Sequence, residues 1–296
     1  MSEQPDDVLA DLRAVLDRAT DRATRRDNAA EDAARAAVGS GTAPASRLGR
    51  LAEWAIWLSG VQGSYPPRPL DRVTVLVVGT GPPDDHPVHR LVASTGATLK
   101  VVALQGDSTA AQAAESGIAA VDSAVDAGCD LLVLPTFVDA TVSGTLVALL
   151  LRLTATEVVG DSDHLDDAAW AERVAGIRDR THAARALEDD PVAVIDAVGS
   201  VELAGVAAML LQAAARRTPV LLDGAADGAA ALAASRLAIL ASWWWFAAST
   251  SADPATTRAV DALGLEPLLQ LGCDLDGGVA ALTALPLLRA VPHVLP

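Results

Sequence analysis

Aromatic side chains are scarce: phenylalanine, tryptophan and tyrosine together make up 3% of the 296 residues. A core must then be built from alanine, valine and leucine, which requires helices that approach one another closely. Cysteine is nearly absent. Cys129 and Cys273 each sit inside an apolar segment, so no disulfide framework is encoded and both thiols are expected to be reduced. The longest apolar runs, such as residues 237–248, fall short of the roughly 20 residues a membrane-spanning helix needs. The first residues, MSEQPDDVLADL, are acidic and carry no hydrophobic signal core, so a cytoplasmic location is expected. Cationic residues are outnumbered, 22 Lys and Arg against 38 Asp and Glu, which leaves a formal charge of −16. That balance argues against nonspecific binding to nucleic acid or to an anionic membrane. An anionic ligand must instead be held by a local device, such as a helix N-terminus or a single arginine.

Hydrophobic residues make up 51% of the chain, enough for a large core. Leu9, Leu12 and Leu16 recur at helical spacing in an Ala/Arg/Asp-rich segment running from residue 6 to about 38, a helical arm. GSGTAPAS (39–46) breaks it. Residues 48–61 resume a helix with Leu51, Trp54, Ala55 and Leu58 on one face, and YPPRP ends that helix. The period then changes. VTVLVV (73–78), LKVVAL (99–104), DLLVL (130–134), PVLLD (219–223) and ILASWWWFA (239–247) are short continuous apolar runs, as strands buried on both faces require. Ala-rich helical stretches lie between them at 109–127, 142–153, 167–187, 201–217 and 226–237. This alternation predicts an α/β fold, a parallel sheet flanked by helices in three Rossmann-like layers.

Several motifs fail as chemistry. Gly79-Thr80-Gly81 follows a strand, but Pro82 and Pro83 come next and no third glycine opens a helix, so a dinucleotide turn is not supported. Asp84, Asp85, His86 and His89 fit no zinc spacing and read as a solvated loop. The run DSDHLDD (161–167) has Asp166 where a calcium loop requires glycine, so Asp166 and Asp167 are better read as capping the next helix. No Gly-x-Ser-x-Gly elbow occurs, and neither cysteine has a neighbouring histidine. Trp243, Trp244 and Trp245 read as strand residues that cannot all face one side; they serve packing, or form a flat wall for a planar ligand or a partner.

The stretch LGCDLDGGVAALTALPLL (271–288) reads as an apolar run, a turn at Asp276-Gly277-Gly278 and a helix. A glycine turn opening a helix makes an anion site. Asp276 is then either an N-cap for that helix or a base facing a bound substrate.

Four stretches, SRLGRLAEWAIWLSGVQG (46–63), VGSVELAGVAAMLLQAAARRTPVLLDG (198–224), SADPATTRAVDALGLEPLLQLG (251–272) and VAALTALPLLRA (279–290), resemble the nicotinate-nucleotide:dimethylbenzimidazole phosphoribosyltransferase family in order and spacing. The resemblance covers most of the chain, strongly in the C-terminal third and weakly over 79–145. It implies a parallel α/β core over residues 66–296, and a small helical domain made from the 1–65 arm and the returning C-terminal helix. It also implies a homodimer and no metal or organic cofactor. The reaction implied is attack of a benzimidazole nitrogen on the ribose C1 of nicotinate mononucleotide, releasing nicotinate. That needs a carboxylate base, a phosphate cradle and a slot for the planar azole.

The matching positions depart from the family pattern. Where the family reads Gly-Glu-Gly-Thr-Gly, an ungapped overlay puts Gly277 at the catalytic glutamate and Asp276 one position earlier, so Asp276 is the substitute base only if the turn shifts. PTFVDATVSGT (135–145) lacks the glutamate and most glycines of the family's Gly-Glu-Met-Gly-Ile-Gly-Asn-Thr-Thr, while Thr141, Ser143, Gly144 and Thr145 still offer hydroxyls and amides. Arg173 falls where the family has a phosphate-contacting lysine. Asp223 and Gly224 close the resembling LLDG segment and join Gly277 and Gly278 as candidate substrate-binding residues. The family's Asp-His-Gly-Val and Ser-Ala-Tyr-Pro stretch is shortened here to GTGPPDDHPVHRL, which removes most of the benzimidazole-binding segment. The expectation is a degenerate relative with weak or no transfer, binding a nucleotide or azole, or pairing with itself or with an intact family member. The alternative is an active transferase with Asp276 as base.

Overall fold

The structure is a computed structural model, described here for residues 5–23, 25–39, 47–161, 165–273, 275 and 277–294. Three helices come first: α1 (Pro5–Thr20), α2 (Asn28–Gly39) and α3 (Arg50–Gln62). The core follows as β1 (Val73–Val78), α4 (Val88–Thr95), β2 (Thr98–Val102), α5 (Ala110–Asp126), β3 (Leu131–Val133), α6 (Ala140–Leu151) and α7 (Ala155–Val159). It continues through α8 (Asp167–Ala184), α9 (Pro191–Val198), α10 (Val201–Ala215), β4 (Val220–Leu222), α11 (Ala225–Leu237) and β5 (Trp245–Ala247). Helices α12 (Pro254–Ala262) and α13 (Val279–Val294) close it.

Among the described residues the five strands are all parallel, in the order β2-β1-β3-β4-β5. The apolar runs at β1, β3 and β4 are buried throughout, as residues covered on both faces must be. β2 differs from the expectation. It is an edge strand of half-exposed and exposed residues, with Val101 46% exposed, because only one neighbour and part of one helix layer cover it.

The arm is two helices rather than one. The Asp27 carboxylate accepts a hydrogen bond from the Ala30 N–H at 3.0 Å and so starts α2 afresh after α1 has ended at Thr20. α1 lies against α5 and α10, and α2 against α3. The close helix approach that an aromatic-poor core demands is met at α5 and α10: a Cβ on Gly117 would lie 2.7 Å from the Gly205 carbonyl oxygen. Asp166 caps α8, its carboxylate taking the Ala169 N–H at 2.8 Å.

The strand expected over 239–247 is only its last three residues. Ile239–Trp244 is a 3-10 helix, in which Ala241 and Trp244, three apart, turn inward while Ile239 is 70% exposed. A short apolar run does not distinguish a strand from a helical turn, and here a period of three prevails. Trp243 and Trp244 are therefore not strand residues, and only Trp245 opens β5. The apolar run at 271–273 is likewise no strand; the chain there follows an isolated bridge between Ser249 and Leu269. Among the described residues no helix is long and apolar enough to cross a membrane.

Candidate active site at the strand ends

In a parallel sheet the connections reverse direction at one point, and ligands enter the crevice beyond the carboxyl ends of the strands there. The order β2-β1-β3 places that point between β1 and β3. Three segments meet at it: the loop after β1, the loop after β3 and the turn that precedes α13.

The turn is made by Gly277 and Gly278, with φ of +83° and +85°, values that favour glycine. A Cβ on Gly277 would lie 2.6 Å from Cε1 of His86 and 2.7 Å from the Phe137 ring. One on Gly278 would rest 3.4 Å from Pro135 and 3.5 Å from Val133. The histidine of the supposed solvated loop is thus folded over the turn, edge to face with Phe137 at 5.1 Å between ring centres. Its Nδ1 accepts the Val88 N–H at 3.3 Å, which leaves Nε2 to carry the proton of the neutral ring. Burial, and then the neighbouring His89, hold its pKa below the ordinary histidine value, against a smaller opposing pull from Asp85. His89 is tied to its own loop, its Nε2 lying 3.0 Å from the Pro83 carbonyl oxygen.

Asp223 stands at the end of β4 and reaches the same helix from the other side. Its Oδ2 accepts the Ala281 N–H at 3.2 Å, so it caps α13 from a distance in sequence of 58 residues. Its carboxyl is turned inward, and burial pushes its pKa up to about 6 against the smaller lowering effect of the Ala281 and Ala280 amides. Its own N–H donates to Asp227 at 3.1 Å in the first turn of α11. Gly224, with φ of +101°, is the N-cap of α11 and supplies no side-chain cap. Asp223, Gly224, Gly277 and Gly278 therefore converge on the strand ends.

Thr141, Ser143, Gly144 and Thr145 lie in the first turns of α6, and the structure gives them local and packing contacts. The Thr145 hydroxyl donates to the Thr141 carbonyl oxygen at 2.6 Å, and the Ser143 hydroxyl to that of Ala140 at 3.3 Å. A Cβ on Gly144 would meet Ile177 of α8 at 2.8 Å. The Thr141 N–H is taken by the N-cap carboxylate of Asp139 at 2.8 Å. Hydrogen bonding from Thr141 lowers the Asp139 pKa, and the charges of Arg173 and Arg180 lower it further. Arg173 thus faces an internal carboxylate at this helix N-terminus. Asp276, the candidate base, lies outside the described residues, as does the 162–164 part of the acidic run.

Three contributors were not singled out as site residues from sequence. His86 and Phe137 meet only because β1 and β3 are neighbours, which no local signal states. Glu202 is the third. It sits in the first turn of α10, receives the Ser200 hydroxyl at 2.9 Å, and lies where a Cβ on Gly79 would approach its Cγ to 3.2 Å. The Ser-Val-Glu after Gly199 is a helix-start signal that could have located it. Among the described residues no group of three or more His, Cys, Asp or Glu side chains could hold a metal ion.

The structure defines a doubly wound parallel α/β protein whose strand ends gather a buried carboxylate, Asp223, and the glycine turn before α13. The profile of the phosphoribosyltransferase family matches it over residues 23–89 and 80–295. The nicotinate-nucleotide–dimethylbenzimidazole phosphoribosyltransferase of Mycobacterium avium (strain 104) is 34% identical, over 84% of this chain and 86% of its own. The protein of that name from Corynebacterium glutamicum (strain ATCC 13032) is 33% identical, over 84% and 83%. The crystal structure of the Thermus thermophilus protein of that name superposes with a TM-score of 0.75 at 25% identity, covering 90% of this chain and 95% of the other. This chain belongs to the nicotinate-nucleotide:dimethylbenzimidazole phosphoribosyltransferase family.

Proposed function

We propose that this protein is a family member that has kept the fold and a ligand crevice, while phosphoribosyl transfer has become weak or has been lost. The observation that carries this reading is the space around Gly277. The position that overlays on the family's glutamate is a glycine, and the volume a side chain would enter is filled by the rings of His86 and Phe137. Transfer requires a bond from an azole nitrogen to C1 of the ribose, and loss of the bond to the pyridinium nitrogen of nicotinate, which takes the electron pair. The proton of the azole must go to a base. Without a carboxylate at that point the step loses much of the roughly 10²–10⁴-fold that general-base catalysis supplies. The crevice would then serve to bind a nucleotide or azole, in a homodimer or beside an intact member of the family.

A second reading rests on Asp223. A carboxyl with a pKa of about 6 at the strand ends suits a general base near neutrality, so residual transfer would run through it.

The deciding experiment follows α-ribazole phosphate by mass, with nicotinate mononucleotide, dimethylbenzimidazole and an intact family enzyme as control. A rate at least about 100-fold below the control supports the proposal. A rate within about tenfold of the control overturns it, and loss of that rate in Asp223→Asn but not in Asp276→Ala would assign the base to Asp223.

A further inference from the structure

At the other end of the sheet, before the first residues of β1, β3 and β4, lies a cavity of about 910 Å³. Five arginines line it: Arg25, Arg26, Arg68, Arg216 and Arg217. Three aspartates, Asp27, Asp71 and Asp130, line it as well, so cations outnumber carboxylates there five to three in a chain whose formal charge is −16.

Two of the five are matched within the protein. Arg216 bridges Asp122 at 2.6 Å and Asp126 at 2.5 Å, and Arg26 lies 3.2 Å from Glu31. Arg25 rests over the Trp243 ring at 5.3 Å, and it has no ion pair among the described residues. The guanidiniums of Arg68 and Arg217 have no ion pair and no hydrogen bond among the described residues, and of Arg68 only the backbone is tied, to the Gln62 side chain.

Arg217 also occupies a place that its backbone does not favour. It follows the C-cap of α10 with φ of +55°, its N–H donating to the Ala214 carbonyl oxygen at 3.1 Å while the Thr218 N–H donates to that of Ala213 at 2.8 Å. This is a Schellman closure, whose left-handed residue is usually glycine. An arginine there stands against the conformational preference, and it lines the cavity.

The cavity also holds an acceptor in need of a donor. Asp130 uses Oδ2 to take the Asp71 and Arg72 N–H groups at 2.8 and 3.0 Å, while its Oδ1 is buried without a hydrogen-bond partner. Uncompensated guanidiniums and a carboxylate oxygen seeking a hydroxyl, in one cavity of ligand size, are the two halves of a sugar-phosphate site.

We infer that this cavity binds a phosphorylated sugar, free or as part of a nucleotide. Its phosphate is met by Arg68 and Arg217 and a hydroxyl is donated to Asp130, at the end of the sheet remote from the candidate active site. The site is independent of whether transfer survives.

The test is a calorimetric titration of the full chain at fixed ionic strength with ribose 5-phosphate, ADP and inorganic phosphate. Ribose 5-phosphate or ADP is expected to saturate a site that Arg68→Gln and Arg217→Gly each weaken at least about tenfold. Arg217→Gly relaxes the left-handed turn, so its melting temperature is expected to hold or rise, which separates lost binding from lost folding. Asp130→Asn is expected to reduce the preference for ribose 5-phosphate over inorganic phosphate. Absence of saturable binding up to about 10 mM, or binding that both arginine variants leave unchanged, overturns the inference. So does equal affinity for ribose 5-phosphate, ADP and inorganic phosphate.

Discussion

The imidazole of His86 meets the ring of Phe137 edge to face, centroids 5.1 Å apart and planes at 88°, and the pair closes over Gly277. The contact joins the loop after β1 to the loop after β3 over the turn that precedes α13.

Gly277→Ala is expected to destabilise the fold by about 1–3 kcal/mol, since it adds left-handed strain to a collision with both rings. Urea denaturation measures this, and an unchanged midpoint would show that the turn relaxes freely. Gly277→Glu alone is expected to leave transfer at background. Combined with Phe137→Ala, which opens the space, it is expected to raise turnover by about tenfold or more.

The pH behaviour of His86 follows from its environment. With a folded-state pKa below the unfolded value of 6.5, the native form binds fewer protons, so the stability His86 contributes is present above 6.5 and is lost as pH falls through the folded value. His89 lowers this pKa and Asp85 raises it. An NMR titration of the ring should give a midpoint below 6.5, moving upward in Phe137→Ala as water reaches the ring. A midpoint at or above 6.5 in the parent protein contradicts this placement.

Asp223 works in the opposite sense. Its folded-state pKa of about 6 exceeds the ordinary value of 3.8, so the stability it contributes is full below 3.8 and is lost as pH rises through 6. Asp223→Asn keeps an acceptor for the Ala281 amide without the buried charge. It is expected to stabilise the protein above about pH 6 by on the order of 2–3 kcal/mol and to have little effect near pH 4. Urea midpoints compared at about pH 4 and about pH 7.5 check the sign.

In the middle of an isolated helix, glycine to alanine gains roughly 1 kcal/mol. At Gly117 the opposite is expected, a loss of about 1–3 kcal/mol, because the added methyl meets the Gly205 carbonyl oxygen at 2.7 Å. Thermal melting of Gly117→Ala decides between the two signs.

Much of the fold was legible because its signals are local. The apolar run at 73–78 coincides with β1, and Asp166 reads as the cap it is. The segment 239–244 was not legible as a 3-10 helix, since six consecutive residues rich in apolar side chains have no periodicity to betray a turn. At the site, the glycine turn and the Asp223-Gly224 junction show in the sequence as strand-to-helix punctuation. The packing of His86 and Phe137 on Gly277 does not. It brings together residues that lie 51 and 140 positions apart through the order of the strands, and that order is a property of the assembled sheet.

The tryptophans have a consequence for how this molecule can be watched. Of the six, Trp54 and Trp57 lie on α3, Trp243 and Trp244 end the 3-10 helix that runs into β5, and Trp245 opens β5, leaving Trp170 alone on α8. Intrinsic emission therefore reports on one margin of the sheet. An occupant of the arginine cavity, which Trp244 lines, should alter the signal directly. A molecule entering between β1 and β3 has no indole among the side chains that meet there, and would pass optically almost unnoticed.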